Sequence, residues 1–345
     1  MKNLSAVNKV IFFINNIIAL LFLLSSLASY IKPSTISVAP ILSLATPILL
    51  FLNIIFLVYW IVFGLKKQFV LSLVVLLISL FVFSTPYKFK SNISSSENGI
   101  CIMSYNVRKF NIYNWIDDIN IDSKISTFIS KVDPDIVLLQ EYKENKNFKL
   151  IYPNFYHHKN IEIYPKRTIT YPSGLAIFSK YPIVNKGSVE HKTPYTSIVF
   201  ADIVKNNDTI RVYNFHLESL GVVPDKDYFG HKDSEKLFKR LKKSFKVQEI
   251  EIDILRNHIK ACNYRVILAG DMNNIAYSWA YKNLKSNLQD TFLKAGKGFG
   301  KTFSLKGFPL RIDHIFVDKS IKIIDHKNYK NRYSDHYPIT ATVLF

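Results

Sequence analysis

No acidic side chain occurs before Glu97, and the stretch ahead of it holds three long uncharged apolar runs, residues 10–30, 38–63 and 69–83. Asn15 and Asn16 interrupt the first run. A bilayer core about 30 Å thick needs about 20 apolar residues, with a range near 17–25, for a helix to cross it. The first two runs meet that length, and the third reaches it only if it extends through Thr85. A secretory signal would be one short segment with a cleavage site, and three runs in series do not fit that description. Residues 1–85 are therefore expected to form a membrane anchor of three transmembrane helices. Lys2 and Lys9 flank its start, Lys66 and Lys67 fill the turn between the second and third runs, and Lys32 stands alone in the first turn. Lysine-rich short loops stay cytoplasmic, so the chain should leave the third helix on the far side. An integral membrane protein with an extracytoplasmic C-terminal domain is expected. No ionisable residue interrupts the three runs, which gives no support to a transport or proton-relay function.

Residues 86–99, PYKFKSNISSSENG, read as a short Ser/Asn/Lys linker that keeps the remainder, residues 100–345, close to the bilayer. The first 96 residues carry seven lysines and no arginine, which leaves 38 of the 45 basic side chains and all 26 acidic ones to the rest. A basic excess fits a partner rich in phosphate, nucleic acid or anionic lipid. It fits a coding bias equally well, since Lys outnumbers Arg 37 to 8 and Ile and Asn are abundant throughout. Cys101 and Cys262 lie in or beside apolar runs, too few for a disulfide framework or a cysteine zinc site, and are expected to be buried thiols.

Beyond residue 100, strand and helix patterns alternate. Apolar runs at 100–105, 135–139, 174–179, 266–269, 312–317 and 339–344 read as strands. Residues 197–204 and 209–215 read as a hairpin, 122–132 as a helix capped by Asp122, and 233–262 as a long helical stretch. This alternation predicts an α/β layered domain. Neither a Walker loop nor a dinucleotide-binding glycine fingerprint is present.

The chemistry gathers where these runs end. SYNVR contains Asn106 and Arg108, LLQE ends in Glu141, NFHLES contains His216, LAGDMNN contains Asp271 and Asn273, RIDHIF contains Asp313, and SDHYP contains Asp335 and His336. A single polar residue past a strand is usually a turn or a cap. Six such groups at strand ends could converge, because layered α/β domains bring strand C-termini to one edge. The inventory is carboxylates, amides and two imidazoles, without a reactive Ser or Cys. It suits a hard, oxygen-liganded cation such as Mg²⁺ and phosphoryl chemistry, which depends on positioning and charge neutralisation.

Together these motifs resemble the endonuclease/exonuclease/phosphatase superfamily, the metal-dependent phosphohydrolases of the DNase I kind, from about residue 100 to the C-terminus. The resemblance implies a four-layer α/β sandwich with helices outside two packed sheets, and Mg²⁺ or Mn²⁺ as cofactor. It implies Glu141 as principal metal ligand, with Asn106 and Asp335 completing or bracing the shell. It further implies Asp271 and Asn273 orienting the attacking water and a phosphate oxygen, and Asp313 fixing the tautomer of His336. His216 would contact the phosphate and could protonate the leaving oxygen. Which group takes the proton from water stays open. Asn106-Val107-Arg108 follows the DNase I-like branch, where Arg108 becomes a phosphate contact. The carboxylate that supports the first histidine in that branch has no counterpart in Tyr171-Pro172-Ser173-Gly174. The remaining histidines, in loops or on polar helix faces, read as structural, and His314 should face away from Asp313.

A basic insert, residues 219–262, separates His216 from Gly270. Leu237, Leu241, Phe245 and Gln248 fall near one stripe of its helix, with Lys236, Lys239, Arg240, Lys242, Lys243 and Lys246 elsewhere. It reads as a surface helix on the sandwich, or as a basic amphipathic element facing lipid headgroups or nucleic acid. Asp225, Asp227 and Tyr228 would form a rim near the site. The leading expectation is a nuclease-like phosphodiesterase. The alternatives are a sphingomyelinase-like phospholipid or headgroup phosphodiesterase, and a non-catalytic membrane protein that binds through the same fold. No obligate protein partner is evident.

Overall fold

A computed structural model describes residues 4–63, 67–83, 87–89, 99–159, 163–164, 167–168, 173–189, 197–222, 231–305 and 308–344. Most of the linker, Lys2, Lys66, Tyr171, Pro172, His191, Asp225, Asp227 and Tyr228 lie outside these residues, as does the side chain of His231.

Four helices come first: α1 (Ala6–Ala28), α2 (Ala39–Leu44), α3 (Thr46–Val62) and α4 (Phe69–Val82). Among the described residues only α1 is long and apolar enough to cross a membrane, so the expected set of three transmembrane helices is not borne out. The second apolar run is not one helix. Pro47 sits in the first turn of α3, where its missing N–H and fixed φ favour a restart and not a continuation, so the run divides into α2 and α3. At 1.5 Å per residue α3 and α4 reach roughly 25 and 21 Å, short of a ~30 Å core.

The helices invert the polarity of a water-soluble bundle. Asn15, Ser25, Ser43, Thr46, Asn53 and Ser72 are buried, while Val7, Phe13, Leu20, Ile48, Phe51, Val58, Val74 and Phe81 are exposed. Asn15 Nδ2 donates to Ser72 Oγ at 2.9 Å and Asn15 Oδ1 accepts from Trp60 Nε1 at 3.0 Å, tying α1 to both α4 and α3. Tyr59 OH donates to Asn8 Oδ1, and Phe22 packs on Phe83. Helix α1 is thus antiparallel to α3 and parallel to α4.

The remaining chain forms β1 (Ile100–Asn106), a short 3-10 turn, α5 (Ile121–Val132), β2 (Ile136–Tyr142), β3 (Asn154–Lys159), β4 (Ile163–Tyr164), β5 (Arg167–Thr168), β6 (Gly174–Ser179), β7 (Ile183–Ser188), β8 (Ile198–Lys205), β9 (Asp208–His216) and α6 (His231–Lys260). Then follow β10 (Arg265–Asp271), α7 (Trp279–Lys285), β11 (Gln289–Asp290), α8 (Thr291–Ala295), β12 (Phe303–Leu305), β13 (Phe308–Leu310), β14 (Asp313–Val317), β15 (Lys322–Asn328) and β16 (Ile339–Leu344). Twelve of the described strands make two six-stranded sheets, ordered β15-β16-β1-β2-β6-β3 and β11-β14-β10-β9-β8-β7, and β4/β5 and β12/β13 form two separate hairpins. Each six-stranded sheet contains one parallel pair, β1/β2 and β9/β10, flanked by antiparallel neighbours.

Alternation along the strands builds the layers. Ile100, Ile102, Ile136, Leu138, Val212, Ile267 and Ile315 fill the space between the sheets. Met103, Tyr105, Val137 and Leu139 point the other way, onto Ile121, Ile125 and Ile129 of α5. Tyr213, Phe215, Leu268 and Phe316 pack on α6 and α7. Both faces of the central strands are covered, which is why they read as continuous apolar runs. The result is a mixed α/β sandwich of two sheets with helices outside.

Some local expectations shift. Helix α5 is capped from Asn120 without a side-chain bond, and Asp122 instead accepts from Ser123 N and Asn145 Nδ2 within and beside the first turn. Cys101 and Cys262 are half-buried, not buried. The sequence missed β3, β7 and β15, which are short or lack a continuous apolar run. His157 and His158 lie on β3 and His326 on β15, not in loops.

Helix α6 joins the two parts of the molecule. Leu241 and Phe245 are buried against Ile41 and Leu44 from α2, with Leu237 and Leu220 alongside. Glu249 accepts from Ser34 N and Oγ, both at 2.7 Å, and Asp253 accepts from Lys32 Nζ at 2.9 Å. The insert helix is thus a platform between helices and sandwich, with its basic face outward.

One cross-sheet bond lies directly under the strand ends. Gln140 Nε2 on β2 donates to Asn214 Oδ1 on β9 at 2.7 Å, and Asn214 Nδ2 donates to the Leu139 and Ala176 carbonyls, each at 2.9 Å. All of it is buried. Replacing Asn214 by Ala removes the shortest bond of Gln140, which keeps only longer ones to Ser104 Oγ and the Leu138 carbonyl at 3.2 Å, and takes a donor from two carbonyls. Chemical denaturation of the full chain in detergent should then show a loss of about 2–4 kcal/mol, whereas Lys246→Ala on the exposed face of α6 should change stability by less than about 0.5 kcal/mol.

Candidate active site

The register fixes the positions of the polar strand ends. Asp271 pairs with His216 across the parallel β9/β10 contact and with Asp313 across β10/β14, so three neighbouring strands present His216, Asp271 and Asp313 in one row. On the other sheet Asn106 lies beside Gln140, one residue from Glu141. The two rows meet at the seam between the sheets.

Asp271 is the hub. Its fully buried carboxylate accepts from Asn106 Nδ2 at 3.0 Å and lies 3.6 Å from both His216 Nε2 and His336 Nε2. Its other oxygen accepts from Asn273 N at 2.7 Å. Gly270 makes this approach possible: a Cβ there would lie 1.9 Å from the Phe215 carbonyl oxygen. Asn273 adopts a left-handed conformation, φ 52°, which asparagine tolerates, and its side chain donates to the Leu217 carbonyl at 2.9 Å.

Glu141 is placed by a break in the β2/β6 register between Leu139 and Tyr142, with φ 50°. Bulges of this kind re-aim a side chain. Its Oε1 lies 3.4 Å from Asn106 Nδ2 and 4.0 Å from His216 Nε2. After β1, residues Arg108 to Asn111 all have positive φ, a left-handed turn of non-glycine residues. Such a turn costs about 1–2 kcal/mol per residue, so the fold spends stability to hold this loop. It sets Arg108 N on Asn106 Oδ1 at 3.0 Å, stacks the guanidinium 3.5 Å from the Trp115 ring centre, and brings Arg108 Nη1 to Asp335 Oδ2 at 2.9 Å.

His336 Nδ1 lies 2.9 and 3.2 Å from the two oxygens of Asp313. Burial pushes Asp313 up to about 6 against the pull of the imidazolium. Burial also opposes charge on His336, but the Asp313 and Asp271 carboxylates outweigh it and hold the ring well above its ordinary value. Near neutral pH the pair is therefore an imidazolium and a carboxylate. Thr302 Oγ1 accepts from both Ile312 N and Asp313 N, fixing the start of β14.

Oxygen and nitrogen ligand atoms of Asp271, Asp313 and His336 lie within 4.8 Å of one another. The described partners of Glu141 and Asp271 are amide, backbone and imidazole groups, few donors for two acceptor-only carboxylates. Asn106 Oδ1 keeps a second lone pair beyond the one that Arg108 N occupies. This donor set fits a divalent cation. Among the predicted site residues, the structure groups Asn106, Glu141, His216, Asp271, Asn273, Asp313 and His336. Arg108 and Asp335 reach the group as an ion pair through the Asn106 loop. His314 is a buried structural residue, its Nδ1 2.9 Å from Arg311 Nη1.

The sequence reading passed over the Gln140–Asn214 clamp, although two amides inside apolar strands were its signal. It also passed over Tyr105, whose buried hydroxyl has no hydrogen-bond partner and is pushed well up by burial, with the Asp335, Tyr333 and Asp313 charges adding to the shift.

A family model described as the endonuclease/exonuclease/phosphatase family matches residues 103–336. The chain belongs to that family. It is a phosphoric ester hydrolase, and every strand-end residue from Asn106 to His336 falls within the matched span. A second model, described as a domain of unknown function, DUF8431, matches residues 8–86, the helical part. No curated protein sequence matches. Among solved structures, the family member is similar to D. rerio TDP2 humanised by 14 mutations, with a TM-score of 0.52 and 17% identity over 72% of this chain and 99% of that one. An endonuclease/exonuclease/phosphatase from Bacteroides vulgatus gives 0.52 and 15%, over 72% and 99%. Mannosyl-6-phosphatase Bt3783 of Bacteroides thetaiotaomicron VPI-5482 gives 0.50 and 18%, over 71% and 100%. At these identities the likeness is one of fold.

The Asp313–His336 pair has a measurable signature. In EDTA-treated protein the His336 ring should titrate well above pH 6.5 by histidine NMR, and Asp313→Asn should bring it below the wild-type value. Because the folded His336 value lies above the unfolded one of about 6.5, its stabilising contribution is complete below that pH and is lost as pH rises through the folded value. Asp313→Asn should flatten that part of the stability profile.

Proposed function

We propose that this protein is a membrane-anchored, Mg²⁺-dependent phosphodiesterase that directs water onto a phosphorus centre. The observation that carries the reading is the convergence of Asn106, His216 and His336 on the Asp271 carboxylate, with Glu141 beside them. In this reading Glu141 holds the cation, with Asn106 and Asp335 bracing the site. When bound, the cation neutralises charge on the phosphoryl oxygens. Asp271 and Asn273 orient the attacking water. His336, kept cationic by Asp313, stabilises a non-bridging phosphate oxygen, and His216 faces the leaving oxygen as proton donor. Arg108, stacked on Trp115, adds a cation at the rim for the phosphate diester.

The inverted polarity of the α1–α4 unit supports its assignment as the anchor, because buried Asn and Ser with an apolar exterior is the pattern expected in lipid. Asn8 and Tyr59 mark one end of the unit. Ser34, Ile41, Leu44 and Phe83, which touch α6 and the 275–277 loop, mark the other. Lys9 and Lys67 belong to the end away from the catalytic domain, and Lys32 at the near end is engaged by Glu249 and Asp253. Under the positive-inside rule this distribution of lysines supports a catalytic domain outside the cytoplasm.

Purified full-length protein in detergent should hydrolyse bis(p-nitrophenyl) phosphate with Mg²⁺ or Mn²⁺ and lose that activity in EDTA. His336→Ala should lower kcat by about 10²–10⁴-fold, and Glu141→Ala should act as severely while weakening metal binding. Activity that both substitutions leave intact refutes the site. For orientation, a periplasmic-type phosphatase fused after the last residue should be active, and a cytoplasmic-only reporter signal refutes the topology.

A further inference from the structure

An apolar cavity of about 420 Å³ lies where the helical unit meets the catalytic domain. Leu50, Phe51 and Ile54 of α3 form one wall, and Ile275, Phe308 and Leu310 of the domain form the other. The volume falls among those of small-molecule sites, roughly 300–1,000 Å³. Its charged lining group, Arg311, is already committed to Asp290 at 2.7 Å and to the Phe292 ring. Besides Arg311 the lining side chains are apolar except for the Tyr277 hydroxyl, so a nucleotide, a sugar or a peptide backbone would lose most of its hydrogen bonds on entering. A hydrocarbon chain loses none.

The cavity adjoins the active site through the chain itself. Leu310 precedes Asp313 by three residues, so the two are within about 10 Å even if fully extended. Ile275 follows Asn273 by two. Phe303 pairs with Leu310 across the β12/β13 hairpin and carries the His336 ring at 5.0 Å. The cavity also adjoins the apolar exterior of the helices: Phe51, Ile54, Phe299 and Phe308 line it and are themselves exposed. Tyr87 and Phe89, beside Phe299, extend this aromatic rim. Aromatic rings at such a level are the pattern of a membrane–water interface.

We propose that the cavity takes an acyl chain of a membrane phospholipid, and that the phosphodiester cleaved at the Asp271–His336 cluster belongs to that same lipid. The substrate assignment rests on the phosphoesterase reading above. In the reaction the water oxygen bonds to phosphorus, the bond from phosphorus to one ester oxygen breaks, and that oxygen leaves with a proton. No other reactant is consumed.

The test uses full-length protein in phosphatidylcholine nanodiscs containing phosphatidylglycerol with a diazirine on one acyl chain. Photolysis should label peptides covering residues 47–54 and 308–311. Ile54→Trp, which fills the cavity from the helix side, should reduce labelling at least about fivefold and leave hydrolysis of bis(p-nitrophenyl) phosphate within about twofold. Phe308→Asp, on the exposed hairpin, should do the same from the other wall should Ile54→Trp fail to fold. In parallel, kcat/KM for phosphatidylglycerol should exceed that for its deacylated glycerophosphodiester by at least about tenfold in wild type, and the ratio should collapse in either variant. Hydrolysis of the soluble diester with no label in those peptides, or with equal kcat/KM for the acylated and deacylated esters, overturns the lipid proposal and leaves the phosphoesterase reading standing. Label in the cavity with no hydrolysis of any ester overturns the phosphoesterase reading and the substrate assignment with it.

Discussion

A carboxylate with no exposure to water sits at the seam between two sheets, and the geometry of the site follows from how Asp271 is accommodated there. A buried anion is costly unless it is hydrogen-bonded and matched by positive charge. Here an amide reaches it from β1, a backbone N–H from its own turn, and two imidazoles from opposite sheets. Meeting that requirement forces β1, β9, β10 and the turn before β16 into one constellation. The same requirement explains the doubly held His336, whose charge Asp313 and Asp271 together sustain against burial.

The scaffold beneath is built to keep the two sheet edges in register. Parallel pairs at the centre of each sheet bring two strand ends to the same edge, and the Gln140–Asn214 bond joins the pairs one residue below Glu141 and two below His216. Above the edge lie loops with positive φ at Arg108–Asn111, Glu141 and Asn273. Several of the residues that carry the chemistry, Arg108, Glu141 and Asn273, are thus held in strained backbone over a core that is hydrogen-bonded and apolar.

The helical part is more than a tether. Residues between α1 and α2 bond to Glu249 and Asp253, α2 packs on Leu241 and Phe245, and Phe83 packs on Tyr277, four residues past Asn273. The insert helix α6, whose basic face drew attention in the sequence, makes this joint with its other face. Its lysines remain outward, on the side of the helix opposite the joint.

Much of the site was legible in the sequence because its residues terminate buried strands, where a polar residue after an apolar run stands out. The edges of β6 and β16 were legible for the same reason. The break at Pro47 was visible too, yet apolar continuity across residues 38–63 masked it, since hydropathy carries no information about helix phase. Strands β3, β7 and β15 escaped because one face of each is partly solvent-exposed and their apolar residues are sparse. The ion pair of Arg108 with Asp335 could not be read, because it depends on a left-handed turn made by residues with no glycine to announce it. The central claim is that side chains from both sheets enclose one divalent cation beside Asp271. Crystals of the full-length protein soaked in Mn²⁺ test it most directly by anomalous scattering. A single strong peak within coordination distance of a Glu141 oxygen, in the pocket walled by Asp271 and His336, is the predicted result. An ordered pocket with no peak, or a peak that touches neither Glu141 nor its Asp271 neighbours, would contradict it.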